Sequence, residues 1–258
     1  RMVDDLGLRN IRILQLDLRD IPADAGSFDY IVVHGLYSWV PLEVRQHLMP
    51  VIARHLAPNG VAYVSYNAFP GCRIRQAVWD LLRFHTKDCP DLKAKLVAAR
   101  ALIALMVDSG GPVNRGEDAL RAEFRKLVDR PDGALCHDDL SDTNHPVYFQ
   151  EFVADAAGSG LAFLVEADLF TMTAGDFVPH VREALGRMDR LTREQYLDFM
   201  RFRPFRNSLL CHAKALPEFR LLPERVADMH ASPTQTVRGL VADGKAMKYQ
   251  NDDARALM

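Results

Sequence analysis

The chain has 258 residues, 48% apolar and 26% charged, which excludes the low-hydrophobicity composition of a disordered chain and gives length enough to bury a core without metal or disulfides. Its 32 Lys and Arg against 34 Asp and Glu leave a net charge of −2, so no electrostatic argument favours a dedicated nucleic-acid binder. No stretch approaches the roughly 20 apolar residues of a membrane span, and Cys72, Cys89, Cys136 and Cys211 form no CxxC pair, so free thiols in the cytoplasm are expected.

Val3 to Leu8 reads as the end of a helix stopped near Gly7, as if its start lay upstream. Ile11 to Leu16 (IRILQL) is a β-branched and leucine-rich run ending at Asp17, and the spacing predicts a strand. Phe28 to Val33 (FDYIVV) and Val61 to Tyr66 (VAYVSY) predict two more buried strands, the latter after the breaker Pro58-Asn59-Gly60. Between them, Glu43 to Leu56 sets Val44, Leu48, Val51, Ile52 and Leu56 at helical spacing, so the unit is a βαβ crossover with parallel strands.

From residue 73 the period changes. Ile74 to Phe84, Leu92 to Val107 and Glu117 to Val128 predict helices, broken at Pro90 and at Ser109-Gly110-Gly111-Pro112. Val147 to Ala157 predicts a further helix, stopped by Gly158-Ser159-Gly160 before an apolar run, Leu161 to Val165, that reads as a strand. This helix and strand are expected to return to the first sheet as its last elements. Helices follow at Asp176 to Met188 and at Thr192 to Phe202, with Thr192 as N-cap; the tail from Pro217 carries only weak patterns.

In doubly wound sheets ligands bind beyond the carboxyl ends of the parallel strands. Three segments hold that place: Asp17-Leu18, His34 to Pro41, and Asn67 to Gly71. The blocks QLDLRDIP, SFDYIVVHGLYSWVP and LAPNGVAYVSYNAFPG, with the later NHPVYFQEFVADAAGSGL and REQYLDFMRFRPFRNSLLCH, resemble consecutive blocks of one family. It is the class I S-adenosylmethionine-dependent methyltransferases with a methyltransferase regulatory domain, a group that includes rickettsial protein-lysine methyltransferases acting on outer-membrane protein.

The resemblance implies an α/β fold, a partial Rossmann-like methyltransferase sheet followed by a largely helical domain. Residues 1–72 would be the C-terminal part of the cofactor-binding domain, 73–170 a helical insertion and regulatory region returning to the sheet, and 171–258 a mixed helical C-terminal region. It further implies S-adenosylmethionine as cofactor, with Asp17 and Leu18 around the adenine and His34 and Gly35 around the methionine part. Tyr37, Trp39 and Tyr66 would face the methyl group and the incoming nucleophile, and Asn67 and His137 would contact an acceptor, with a protein lysine preferred. Relatives often have an aromatic where Cys72 stands. The family's glycine-rich turn and ribose-binding acid fall before residue 1, which would leave half of the cofactor site here. The two family strands that carry them would lie between the Ile11 and Phe28 strands, so unpaired sheet edges and self-association are expected. A non-catalytic protein-interaction module derived from a methyltransferase is the alternative.

Cys136, His137, Asp138, Asp139, Asp142 and His145 are metal-ligand types, yet their spacing matches no zinc or calcium pattern, so no metal is expected. Arg193, Arg201, Arg203 and Arg206 alternate with Tyr196, Phe199, Phe202 and Phe205, which reads as a packed aromatic face backed by a solvated basic one rather than a nucleic-acid surface.

Overall fold

The computed structural model describes residues 5–109 and 114–218. Strands β1 (Phe28–Val33), β2 (Leu56–Asn67), β3 (Leu161–Glu166) and β4 (Phe205–His212) build one sheet in the order β1-β2-β4-β3. β1 and β2 run parallel, with Tyr30 opposite Val61 and Val33 opposite Val64. They are joined by helix α1 (Leu42–His55), the expected crossover. β2 extends upstream through Pro58-Asn59-Gly60, and the pairing slips between Phe28 and Tyr30, so the predicted breaker is absorbed as an irregularity inside the strand. Gly60 permits the close approach, because a Cβ there would lie 3.0 Å from the carbonyl oxygens of Phe28 and Asp29.

The α/β class holds, with two differences from expectation. Leu161 to Val165 do return to the sheet, but they are not its last strand: β4, absent from the hydrophobic pattern, lies between β2 and β3 and pairs antiparallel with both. Ile11 to Leu16, expected as a strand, has no regular structure, and Ile11, Ile13, Leu14 and Leu16 are exposed. Strand propensity becomes a strand only with a partner to satisfy the backbone and a face to pack on, and no described strand pairs with this segment.

One face of the sheet is covered. Val33, Ala62, Val64 and Tyr66 pack on Leu48, Met49 and Ile52 of α1 and on Phe149, Phe152 and Ala156 of helix α5 (Phe149–Gly158). The opposite face of β1 is open, with Phe28, Tyr30 and Val32 at 46%, 80% and 71% exposure, so this strand, expected to be buried, is covered on one face alone. Between β2 and α5 the chain makes helices α2 (Cys72–Thr86), α3 (Leu92–Asp108) and α4 (Arg115–Val128), close to the predicted spans. They share a second core around Val78, Leu82, Leu102, Ile103, Phe124 and Leu127. Their starts are chemical: Asp91 accepts from the Ala94 N–H, and Asn114 and Glu117 cap α4 reciprocally.

After β3 come α6 (Pro179–Gly186) and α7 (Arg190–Arg201). The N-cap of α7 is Asp189, which accepts from the Leu191 and Thr192 N–H groups, not Thr192. The amphipathicity of this segment is the reverse of the expected one. Glu194, Leu197 and Asp198 are buried, whereas Tyr196, Phe199, Met200 and Phe202 are exposed. The cause is a buried ionic cluster. Arg206 of β4, fully enclosed, pairs with Glu166 of β3 at 2.6 Å and with Asp198 and Glu194 of α7 at 2.9 and 3.1 Å, and its guanidinium lies 4.1 Å from the Phe149 ring centre. Arg203 pairs with Asp198 at 3.2 Å, and Arg201 is spent on the Thr171 and Thr173 carbonyls and Asp176. Arg201, Arg203 and Arg206 are therefore structural ties. Beyond Glu218, the weakly patterned tail falls outside the described residues.

Candidate active site

Because β1 and β2 are parallel, their carboxyl ends deliver two loops to the same rim of the sheet. The first loop turns at Gly35, whose φ of 64° suits glycine and whose N–H donates to Ser65 Oγ at 2.9 Å. Further along, the buried Ser38 accepts from the Asn67 N–H at 3.0 Å through its hydroxyl and from the His145 N–H at 2.8 Å through its carbonyl. Asn67 in turn donates from its amide to Asn144 Oδ1 at 2.9 Å, and its carbonyl accepts from the Val147 N–H. The two post-strand loops and the segment leading into α5 are thus tied together. Between them opens a cleft of about 760 Å³ walled by Tyr37, Arg45, Phe69, Arg73, Tyr148 and Asp155, among others.

The expected site residues fall into separate groups. Tyr37 lies at the cleft floor, 2% exposed, and donates to Asp155 Oδ2 at 2.8 Å while the Arg45 guanidinium sits 5.0 Å over its ring. Burial, and then the Asp155 carboxylate, push its phenol well above the ordinary value, so it stays protonated. Trp39 lies beside a smaller pocket of about 170 Å³ with Asn67, Cys72 and Asn144, and its ring is 5.9 Å from that of His137. Trp39, Asn67 and His137 are therefore brought together, and Asn144 borders both cavities.

Tyr66 is not at the cleft surface. It is 1% exposed, stacked on Phe152 at 4.1 Å, with its hydroxyl 3.2 Å from Ser208 Oγ.

On the other side of the rim, His34 is exposed, its Nδ1 within 3.2 Å of Tyr63 Oη and Ser65 Oγ. Asp17 is exposed and caps the turn Leu18–Asp20, accepting from the Arg19 N–H and guanidinium at 2.9 Å. These bonds hold its carboxyl down to about 2. Leu18 packs half-buried against the sheet core.

Sequence reading missed Arg45, Arg73, Tyr148, Asn144 and Asp155. The spacing of Tyr148 and Asp155 already put them on one helical face, but Tyr37 and Asp155 are 118 residues apart, and no local pattern announces that pairing. In the acidic stretch the carboxylates are committed to arginines: Asp138 to Arg130, and the buried Asp139 to Arg75 and Arg130. Among the described residues no group of three His, Cys, Asp or Glu side chains is placed to hold a metal ion.

Cys72 closes the inner wall, where its Sγ donates to the Pro204 carbonyl at 2.9 Å. Burial pushes the thiol up to about 11, so the reactive thiolate is scarce at neutral pH. In a timed iodoacetamide pulse on the native chain, the half-buried Cys89 and Cys136 should label first. Mass spectrometry showing Cys72 labelled ahead of Cys136 would contradict this packing.

Residues 2–64 match the family model of a methyltransferase domain, and residues 131–212 match that of a predicted methyltransferase regulatory domain. The two matches stand in the order expected of a methyltransferase that carries this regulatory domain. The chain is 35% identical over 209 residues to the uncharacterized protein RP789 of Rickettsia prowazekii, covering 80% of this chain and 38% of that one. The solved structure of PKMT2 from Rickettsia typhi superposes with a TM-score of 0.78 at 28% identity, over 94% of this chain and 47% of the other. PKMT2 in complex with AdoHcy superposes at 0.75 with 32% identity, over 83% and 41%. The chain thus spans less than half the length of these relatives. The regulatory-domain match includes β3, α7 and β4, so the ionic cluster around Arg206 lies within it. No described helix is long and apolar enough to cross a membrane.

Proposed function

We propose that this chain supplies the acceptor side, and part of the cofactor side, of a methyltransferase that uses S-adenosylmethionine to methylate a protein side chain, with a lysine amine as the preferred acceptor. The observation that carries the reading is the cleft beyond the carboxyl ends of β1 and β2, in a chain that superposes on PKMT2 in complex with AdoHcy. AdoHcy is what S-adenosylmethionine becomes when its methyl leaves.

The residues present fit one half of that cofactor. Asp17 offers an ionised carboxylate for the adenine amino group beside the apolar Leu18. Gly35 has open space where a Cβ would stand, so its backbone is approachable, and His34 lies next to it. When bound, the cofactor supplies a methyl on a positively charged sulfur. The rest is the work of this chain: aligning the nucleophile and excluding water. A lysine must arrive neutral, which burial against the aromatic walls of the cleft favours by disfavouring its ammonium form. Positive charge then grows on the nitrogen, and the Asp155 carboxylate, held by the Tyr37 hydroxyl, stabilises it. Trp39, Asn67 and His137 are assigned to acceptor contact, and the buried Tyr66 to holding Phe152 and hence Tyr37 in place. Free thiols at all four cysteines support a cytoplasmic setting.

One observation favours the second reading, a non-catalytic binding module: the Asp17 carboxylate is already engaged by Arg19. Calorimetric titration of S-adenosylmethionine into the gene's full translation product separates the two. Measurable affinity, weakened about tenfold by Asp17→Ala as for loss of one charge-assisted hydrogen bond, is the expected result. A folded protein that takes up no cofactor leaves only the binding module.

A further inference from the structure

We propose that Arg45 and Arg73 make the cleft selective for acceptor lysines flanked by acidic residues in a polypeptide; the inference rests on the methyltransferase reading. Arg45 stands on α1 and Arg73 on α2, and both line the cleft of about 760 Å³. Each guanidinium is held over aromatic rings: Arg45 at 5.0 Å from the Tyr37 ring centre, Arg73 at 3.8 Å from Phe69 and 5.7 Å from Tyr148. Arg73 also donates to Tyr148 Oη at 3.2 Å, and Arg45 reaches the His145 carbonyl at 3.5 Å.

Neither forms an ion pair with a carboxylate among the described residues, whereas Arg75 and Arg130, nearby on the smaller pocket, are paired with Asp138 and Asp139. The cleft's own acids are otherwise engaged. Glu151 accepts from the Tyr148 N–H at 2.7 Å and Asp155 from the Tyr37 hydroxyl at 2.8 Å. A guanidinium carries five N–H donors in a planar fork shaped for a carboxylate. Here two such forks are fixed by stacking, so little ordering entropy remains to be lost, and most of their donors have no acceptor among the described residues.

The two cations come from different helices, and the cleft is far larger than one carboxylate, which fits an extended segment carrying acidic side chains better than a single small anion. The same segment's lysine would then meet the Asp155 and Tyr37 wall, opposite in sign to the arginines. Anion recognition thus falls to Arg45 of α1 and Arg73 of α2, and cation recognition to Asp155 of α5, beside the Tyr37 ring that Arg45 covers.

The test is fluorescence anisotropy with labelled peptides that place one lysine between glutamates or, as the uncharged isostere, between glutamines, titrated with the 258-residue chain. The glutamate peptide should bind about tenfold more tightly, with the ratio falling as salt is raised. Arg45→Gln and Arg73→Gln should each shrink the ratio, and the double variant should bring it to about one. A wild-type ratio near one, or a ratio that survives the double variant, would overturn the proposal. So would displacement of the peptide by inorganic phosphate at equal concentration, which would mark a free-anion site. The binding arm needs no cofactor, so the methyltransferase reading fails separately. Selective binding with no methyl transfer by the full translation product would leave an anion-selective cleft and overturn its role in acceptor choice.

Discussion

Arg206→Ala is expected to lower the stability of the chain by about 3–5 kcal/mol, the cost typical of removing one partner from a buried ion cluster. Arg206 is completely enclosed and holds three carboxylates, Glu166, Glu194 and Asp198, that have almost no access to water. Without it, two of the three have only Arg203, which reaches Asp198 at 3.2 Å and Glu194 at 3.6 Å. Burial already pushes the Asp198 carboxyl up, against the pull of Arg206. Removing that pull leaves desolvation unopposed and forces either proton uptake or local opening. The packing on the Phe149 ring is lost as well. The check is the urea midpoint at pH 7. Adding Asp198→Asn to Arg206→Ala should recover part of the loss, because an amide tolerates burial where an unpaired carboxylate does not. An Arg206→Ala chain with an unchanged midpoint would mean that the cluster is not the tie between α7, β3 and β4 described above.

Gly71→Ala should be the most damaging single-methyl addition near the cleft, costing about 2–3 kcal/mol, in the upper part of the range for overpacking. Gly71 has an ordinary φ, so the reason is space and not backbone freedom. A Cβ there would lie 2.2 Å from the Arg203 carbonyl carbon and 2.4 Å from the carbonyl oxygens of Phe202 and Arg203. All three are backbone atoms, which cannot swing aside. They belong to the turn that ends α7, where Phe202 sits in the left-handed region at φ 49°. That turn is sewn to the loop after β2 by the Ala68 and Gly71 N–H groups and by the Cys72 thiol, which donate to the carbonyls of Pro204, Arg203 and Pro204 respectively. Separating them would shift Phe69 and Arg73 at the cleft. Besides a lower urea midpoint, Cys72 should become accessible to iodoacetamide; a Gly71→Ala chain with Cys72 still protected would show that the turn absorbs the methyl.

Legibility in the sequence followed how local the cause was. β1 matches Phe28 to Val33 residue for residue, because a continuous apolar run bounded by loop residues has few other uses. The helices α2, α3 and α4 also fall close to their predicted spans, since period and breakers agree. Ile11 to Leu16 misled because its propensity is real while no described strand pairs with it. β4 was missed for the opposite reason. FRNSLLCH carries polar Arg206, Asn207 and Ser208 in succession, and Arg206 and Ser208 are buried because their side chains, with the Asn207 backbone N–H, donate to Glu166. The same cluster turns α7 inside out. For the candidate site, the post-strand loops were legible from topology, and they carry Tyr37 to the cleft and Trp39 and Asn67 to the smaller pocket. Arg45, Arg73 and Asp155 were not, because their significance arises from contacts between elements distant in sequence.

The most direct test of the central claim, that the cleft beyond β1 and β2 serves methyl transfer from S-adenosylmethionine, is incorporation of a radiolabelled methyl group into a lysine-containing protein by the gene's full translation product. Label on lysine is expected, with incorporation lost in Asp155→Asn, which alters the cleft wall, while the variant remains folded by circular dichroism. Label that appears equally with Asp155→Asn would move the chemistry away from this cleft, and a folded protein that transfers no methyl to any lysine-containing acceptor would contradict this role for the cleft.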